Sequence, residues 1–277
     1  GIRRETMSDR DGLFHIRRAL KDGRYYFIAN RSERVIDGWV TLATAAKSAL
    51  LMDAMTGRTG TAALRNEGDQ TDVYLQLQPG ESIIVRTLSE ARPAASAWSY
   101  WQASEQFQGV VGTWRVEFLS GGPTLPETFT SHQLGSWTRH GEAAEAFSGT
   151  ARYSVTFDAV NPQPTQWLDL GAVSQSARVK LNGQDYGTLL TPPFRVLVNN
   201  LRATGNTLEV EVTSTAANRI RDLDRRGVKW QNFHDINFVN QDYKPFNAAN
   251  WPVAASGLIG PVTLTVAQPK LLTEGAE

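Results

Sequence analysis

The chain has 277 residues, and 41% of them are hydrophobic, which is enough apolar side chain for the cores of two ordinary domains. Lys plus Arg and Asp plus Glu number 28 each, without a long run of either sign, so we expect neither nucleic acid nor a membrane as a partner. The sequence has no cysteine, which excludes disulfides and cysteine-ligated zinc.

No apolar stretch approaches the roughly 20 residues of a membrane span. The segment Gly1–Glu5 is polar where a signal peptide would be apolar, and strand-like sequence begins soon afterwards, at Gly12. We therefore expect the chain to be an excerpt of a longer protein whose export signal lies upstream.

The pattern of short strands and turns in residues 1–90 predicts a small β-sandwich. The segments Leu13–Arg18 and Tyr25–Asn30 have the pattern of a hairpin, with Asp22-Gly23 at the turn. Further strands are predicted at Gly38–Leu42, Ala62–Arg65, Asp72–Leu77 and Ser82–Leu88. Residues 91–108 are first rich in Ala, Ser and Pro and then aromatic, which predicts a linker that docks on a neighbouring domain.

Residues 109–277 predict a second β-sandwich with clearer alternation of apolar and polar side chains. Asn182-Gly183 is a strong hairpin signal because both residues tolerate positive φ. The alternating apolar sets are Trp114, Val116 and Phe118; Tyr153, Val155 and Phe157; Ala177, Val179 and Leu181; Phe194, Val196 and Val198; Leu208, Val210 and Val212; and Val262, Leu264 and Val266. Many short strands without a long amphipathic helix indicate an all-β fold with two sandwiches.

A series of motifs in this second part resembles the sugar-binding, galactose-binding-like jelly roll of family-two glycoside hydrolases. The series is Phe147–Tyr153, Leu168–Gly171, Ala177–Gly183, Gly187-Thr188, Pro193-Phe194, Gly205–Val210 and the closing Trp251–Val262. Together with Leu51–Arg58 and Leu77–Ser82, the whole chain is similar to the C-terminal part of the large bacterial α-L-rhamnosidases. The order of the motifs is more specific than any one of them.

The resemblance implies a non-catalytic accessory region of a secreted or periplasmic bacterial enzyme that degrades polysaccharide. In that family the catalytic carboxylates lie on a (β/α)₈ barrel that precedes these sandwiches, and this sequence lacks the alternating strands and helices of such a barrel. The resemblance therefore transfers no catalytic residue to this chain. Its implied partners are carbohydrate, including rhamnose-containing glycan, and the catalytic domain of the parent enzyme.

The segment from Asn218 to Trp251 is interpreted as a long loop, and it is rich in charged, amide and aromatic side chains. Its rings can stack on a pyranose while its polar groups bond sugar hydroxyls. The same residues can instead form a network that fixes the loop against the sandwich or an absent barrel, and both interpretations stay open. The candidate carbohydrate-binding residues here are Arg221, Asp222, Asp224, Trp230, Asn232, His234, Asp235 and Tyr243.

The acidic residues of this segment allow two further interpretations. Asp222, Asp224, Asp235 and Asp242 could include a glycosidase pair, whose carboxyl groups stand about 5 to 10 Å apart. With backbone carbonyls they could also hold a structural calcium, which takes six to eight oxygens, although no EF-hand spacing is present. Ion pairing with the neighbouring arginines is the simpler explanation.

Trp137 and His140 lie in a loop-like stretch before the Phe147 strand, and they complete the set of candidate carbohydrate-binding residues. Their alternative role is packing within the sandwich. The four histidines have no metal-ligand spacing. Three functions stay open: an accessory region that binds glycan or braces the barrel, a purely structural module, and a self-sufficient glycosidase. Exposed coplanar aromatic faces would favour glycan binding, and covered ones would favour a structural role.

Overall fold

The structure is a computed structural model, which describes residues 3–91, 96–232 and 244–272. It divides into two compact units. Unit 1 takes residues 1–105, 191–193 and 266–277, and unit 2 takes residues 106–190 and 194–265. The prediction of an all-β sandwich protein is confirmed. Among the described residues, no helix has both the length and the apolar character needed to cross a bilayer.

Unit 1 is built from antiparallel sheets, and it begins with a 3₁₀ turn at Thr6–Asp9. Its strands are β1 (Leu13–Leu20), β2 (Gly23–Asn30), β3 (Ile36–Leu42), β4 (Ser48–Met52), β5 (Thr59–Thr61), β6 (Leu64–Glu67), β7 (Gln70–Leu77) and β8 (Ser82–Leu88). One sheet has the order β1-β2-β8-β4-β5 and the other the order β3-β7-β6. The predicted first hairpin is present, with Lys21-Asp22 between the paired residues Leu20 and Gly23.

The alternation of buried and exposed side chains along the strands explains the core of unit 1. Tyr26 and Ile28 of β2 and Val85 of β8 are fully buried, while their neighbours along β2, Tyr25 and Phe27, stay exposed. Side chains of successive residues in a strand point to opposite faces of the sheet, so one face of β2 enters the core and the other does not.

Unit 2 contains the larger core. The division between the units falls within two strands, Trp101–Gly109 and Thr263–Pro269. The remaining elements are β9 (Trp101–Gly109), β10 (Trp114–Gly122), β11 (Phe129–Ser131), a 3₁₀ turn (Trp137–Arg139), α1 (Glu142–Ala146), β12 (Ser148–Phe157), β13 (Gln166–Asp169), β14 (Ala172–Val173), β15 (Ser176–Leu181), β16 (Gln184–Leu189), β17 (Arg195–Val198), β18 (Asn206–Thr213), α2 (Ala217–Arg225), β19 (Leu258–Gly260) and β20 (Thr263–Pro269).

The main sheet of unit 2 has six strands in the order β11-β10-β12-β18-β15-β16, and a four-stranded sheet has the order β17-β13-β20-β9. The predicted alternation is confirmed along β10, where Trp114, Val116 and Phe118 are buried. The predicted turn between β15 and β16 is also confirmed, because Asn182 and Gly183 have φ values of 50° and 80°. These angles suit Asn and Gly and would strain most other residues.

Two segments differ from the sequence interpretation. The first part of the presumed loop at Asn218–Trp251 is helix α2, which has only Ile220 and Leu223 as large apolar side chains. So short a helix with so few apolar positions gives a weak periodic signal, because packing rather than propensity stabilises it. Residues 101–108 of the predicted linker lie in strand β9, whose side chains are mostly exposed.

The segment that closes unit 2 makes a tight approach at Gly257. Its φ is 110°, and a Cβ placed on it would lie 2.1 Å from the Tyr153 hydroxyl oxygen and 2.8 Å from the Trp137 ring. Both of those side chains are almost fully buried. Only glycine therefore fits at this position.

We expect Gly257→Ala to lower the free energy of unfolding by about 3 kcal/mol, because overpacking and backbone strain act together. The midpoint of urea unfolding, followed by tryptophan fluorescence, measures the loss. Gly183→Ala is the matched control, since its φ is 80° but no atom lies within 4 Å of its added Cβ. Equal losses in the two variants would show that the close approach at Gly257 contributes nothing.

Candidate functional site

Helix α2 is attached to the sandwich by the buried side chain of Asn218. Its amide nitrogen donates to the backbone oxygen of Ala254 at 2.8 Å, and its amide oxygen accepts from the Ala254 N–H at 2.8 Å. The same nitrogen also reaches the hydroxyl of Ser256 at 3.2 Å. The Asn218 amide therefore joins the helix to the closing segment through one donated and one accepted hydrogen bond, as a backbone peptide group does in a β-sheet.

Arg221 and Asp224 continue this attachment along the helix. The Arg221 guanidinium donates to the backbone oxygen of Trp251 at 2.8 Å and to the carboxylate of Glu145, at the end of α1, at 2.9 Å. The Asp224 carboxylate accepts from the Trp230 indole N–H and from the Ala248 N–H, both at 2.6 Å. Each of its two oxygens is therefore already occupied by a donor within the protein.

Both acidic residues of α2 are bonded to partners within the protein. Asp222 pairs with Arg226 one turn later, and Asp224 is held by the two donors described above. Within residues 3–91, 96–232 and 244–272, no group of three or more His, Asp or Glu side chains could hold a metal ion. The network interpretation of these residues is the one that the geometry supports.

The aromatic residues near α2 contact one another edge to face. Phe246 meets Trp230 at a ring-centroid distance of 6.0 Å and an angle of 83°, and it meets Trp251 at 5.5 Å and 84°. Trp230 is half-buried and Trp251 is 41% exposed. The Phe246 ring is therefore nearly perpendicular to both tryptophan rings and covers an edge of each.

Trp137 lies in the core of unit 2 rather than at its surface. The side chain is fully buried, and its ring meets Phe118 and Phe147 at centroid distances of 5.6 and 5.7 Å. A ring enclosed in this way has no face for a sugar, which corrects the expectation that Trp137 stacks on a ligand. The packing alternative weighed for this loop accounts for Trp137.

His140 is exposed at the mouth of a pocket. Its imidazole stacks on Phe129 with a centroid distance of 3.7 Å and an interplanar angle of 15°. The pocket has a volume of about 170 Å³. Its walls include Arg139 and the buried Tyr153. Burial raises the pKa of Tyr153, so its hydroxyl stays protonated at neutral pH.

The predicted site residues therefore separate into groups. Arg221, Asp222, Asp224 and Trp230 lie together around α2, whereas His140 lines the pocket. Asn232 is exposed and takes part in none of the contacts described above. The candidates outside the described residues are His234, Asp235 and Tyr243. Sequence reasoning missed Phe129 and Tyr153 as pocket walls, because Tyr153 carries only the signal of a core strand residue.

The described residues form a β-sandwich region, and comparison with known proteins relates it to glycoside hydrolases. The structure of a rhamnosidase from Novosphingobium sp. PP1Y matches 91% of this chain with a TM-score of 0.69 and 27% sequence identity. The chain spans 24% of that rhamnosidase. No protein-family model matches the chain.

Two further proteins are similar over smaller parts. A protein of Formosa agariphila named "Putative beta-glucuronidase" is 35% identical over 186 residues, which cover 59% of this chain and 16% of that protein. The structure of a Bifidobacterium dentium beta-glucuronidase matches 61% of this chain and 31% of the glucuronidase chain, with 18% sequence identity and a TM-score of 0.40.

We expect Asp224→Ala to lower the free energy of unfolding by about 3 kcal/mol, because it removes two hydrogen bonds to a charged acceptor. Asp222→Ala is the matched control on the same helix. It removes a largely exposed ion pair and should cost less than about 1 kcal/mol. Urea unfolding of both variants measures the difference. If the two variants are equally stable, Asp224 does not hold α2 to the sandwich.

Proposed function

We propose that the chain is a non-catalytic accessory region of an α-L-rhamnosidase-type glycoside hydrolase. The observation that carries this proposal is the match of 91% of the chain to a rhamnosidase of which it spans only 24%. The described residues contain two sandwiches and no (β/α)₈ barrel. In the family that the sequence resembles, the catalytic carboxylates lie on such a barrel. The parent protein would be exported and would act on polysaccharide.

Bracing of the absent catalytic domain is the role that the contacts around α2 support best. Arg221 donates to Glu145 and to a backbone oxygen of the segment that follows α2. Asp224 accepts from an indole N–H and a backbone N–H of the same segment. Side chains engaged in this way hold a surface in one shape and have few groups left for sugar hydroxyls. A rigid surface is what a brace requires.

Carbohydrate binding by the second sandwich, which we propose to be a galactose-binding-like jelly roll, is the second candidate function. Two observations favour it: the half-exposed ring of Trp251 and the pocket beside His140. A self-sufficient glycosidase is a third and weaker alternative, because Asp222 and Asp224 are both engaged by partners within the protein.

The first test measures turnover of p-nitrophenyl α-L-rhamnopyranoside by the whole chain, with calcium and with EDTA. We expect no turnover above the buffer rate in either condition, because the carboxylates of Asp222 and Asp224 are both bonded to partners within the protein. The double variant Asp222→Ala/Asp224→Ala is the control. Turnover that this variant abolishes would contradict the proposal and make the chain an enzyme.

The second test is calorimetric titration of the same chain with rhamnose-containing oligosaccharides. Binding without turnover would assign carbohydrate recognition to the accessory region. Absence of binding to these oligosaccharides would leave bracing as the role of the region. Trp251→Ala serves as the matched variant, since its ring is the exposed member of the aromatic cluster.

A further inference from the structure

The pocket beside His140 is a binding site candidate that is separate from the α2 contacts. It opens near the end of the main sheet of unit 2, between β10, β11, β12 and the 3₁₀ turn Trp137–Arg139. The lining residues are Trp114, Val116, Phe129, Ser131, Gln133, Leu134, Gly135, Ser136, Arg139, His140 and Tyr153. All of them belong to unit 2.

The chemistry of this lining is asymmetric, because it offers positive charge and hydrogen-bond donors without negative charge. Neither Asp nor Glu is among the lining residues. The guanidinium of Arg139 has no ion-pair or hydrogen-bond partner within the described residues, and the side chain is exposed. Arginine presents five N–H donors in a planar fork that matches a carboxylate.

The hydroxyl of Tyr153 is enclosed and is not open to this pocket. Tyr153 lines the pocket and is only 2% exposed, yet its hydroxyl has no hydrogen-bond partner within the described residues. The backbone of Leu258 lies near this oxygen without meeting hydrogen-bond geometry. The oxygen is enclosed against Gly257, where a Cβ would lie 2.1 Å from it, and Gly257 does not line the pocket. A guest molecule would therefore contact the Tyr153 ring and not its hydroxyl.

The size of the pocket limits the guest. Its volume of about 170 Å³ is well below the roughly 300 Å³ at which pockets for drug-sized ligands begin. One six-membered sugar ring is a suitable occupant, whereas an oligosaccharide is too large. The stacked rings of Phe129 and His140 stand at the wall, where an aromatic face can contact the apolar side of such a ring.

We propose that this pocket binds a single carboxylated sugar, a hexuronate unit, with the carboxylate on Arg139 and the ring against the Phe129–His140 pair. This inference rests on the proposed accessory function, since it names the ligand class of one site in that region. The pocket then recognises the acidic sugar, and helix α2 has a structural role.

The test is calorimetric titration of the whole chain with sodium D-glucuronate, with D-glucose as the neutral counterpart. We expect glucuronate to bind at least tenfold more tightly than glucose, because only glucuronate carries the carboxylate. Arg139→Gln should reduce glucuronate affinity at least tenfold and leave the weak glucose affinity unchanged. Arg202→Gln is the matched control: it removes one exposed positive charge from unit 2 outside the pocket, and affinity should not change.

A further variant tests the buried hydroxyl. Tyr153→Phe should leave both glucuronate affinity and the unfolding midpoint unchanged, because the hydroxyl is enclosed and has no partner to lose in the described part of the chain. Equal affinity for glucuronate and glucose, or an unaffected Arg139→Gln, would overturn the proposal.

The failure of this inference can be distinguished from the failure of the proposed function. If rhamnosides are not turned over and glucuronate does not bind, the accessory role stands and the pocket assignment is wrong. If p-nitrophenyl rhamnoside is turned over, the accessory role is wrong, whatever the result with glucuronate.

Discussion

Unit 2 depends on the hydrogen bonds made by the buried backbone of Ser256 and Gly257. The Ser256 N–H donates to the hydroxyl of Ser136 at 2.9 Å, and the Gly257 N–H donates to the hydroxyl of Ser174 at 2.7 Å. Asn218 reaches the same segment from α2. Three separate parts of the chain thus meet one stretch of backbone, and each bond satisfies a buried polar group that would otherwise be costly.

This arrangement determines which residues are left for chemistry. The segment cannot move without breaking contacts to α2 and to the 3₁₀ turn, and Gly257 has no room for a side chain. Two polar side chains of α2, Asn218 and Arg221, bond to residues 251–256, so both serve to fix this irregular stretch. Arg139 and His140, which follow the buried Ser136 and Trp137, are instead presented at a pocket by the same anchoring.

Much of the fold follows from alternation and turn chemistry. The strands at Trp114, Tyr153 and Leu208 were predictable because period-two burial leaves a clear pattern, and Asn182-Gly183 fixes a turn by its tolerance of positive φ. Helix α2 was not predictable, because nine residues with two large apolar side chains are stabilised by tertiary contacts.

The candidate site was predicted less well than the fold. Composition drew attention to the charged stretch after Asn218, but composition cannot distinguish a carboxylate that awaits a ligand from one already bonded to an indole and a backbone N–H, as in Asp224. Tyr153 illustrates the opposite error. The sequence shows only that Tyr153 belongs to a core strand. That its buried hydroxyl has no hydrogen-bond partner among the described residues is visible only in the structure.

Native-state hydrogen exchange of the Ser256 and Gly257 amides tests the central claim most directly. If this segment is the common anchor of unit 2, both amides should exchange only through global unfolding of the unit, as slowly as the amides of strand β12. Exchange at the rate of exposed loops, with β12 still protected, would show that the segment opens independently and would contradict the account.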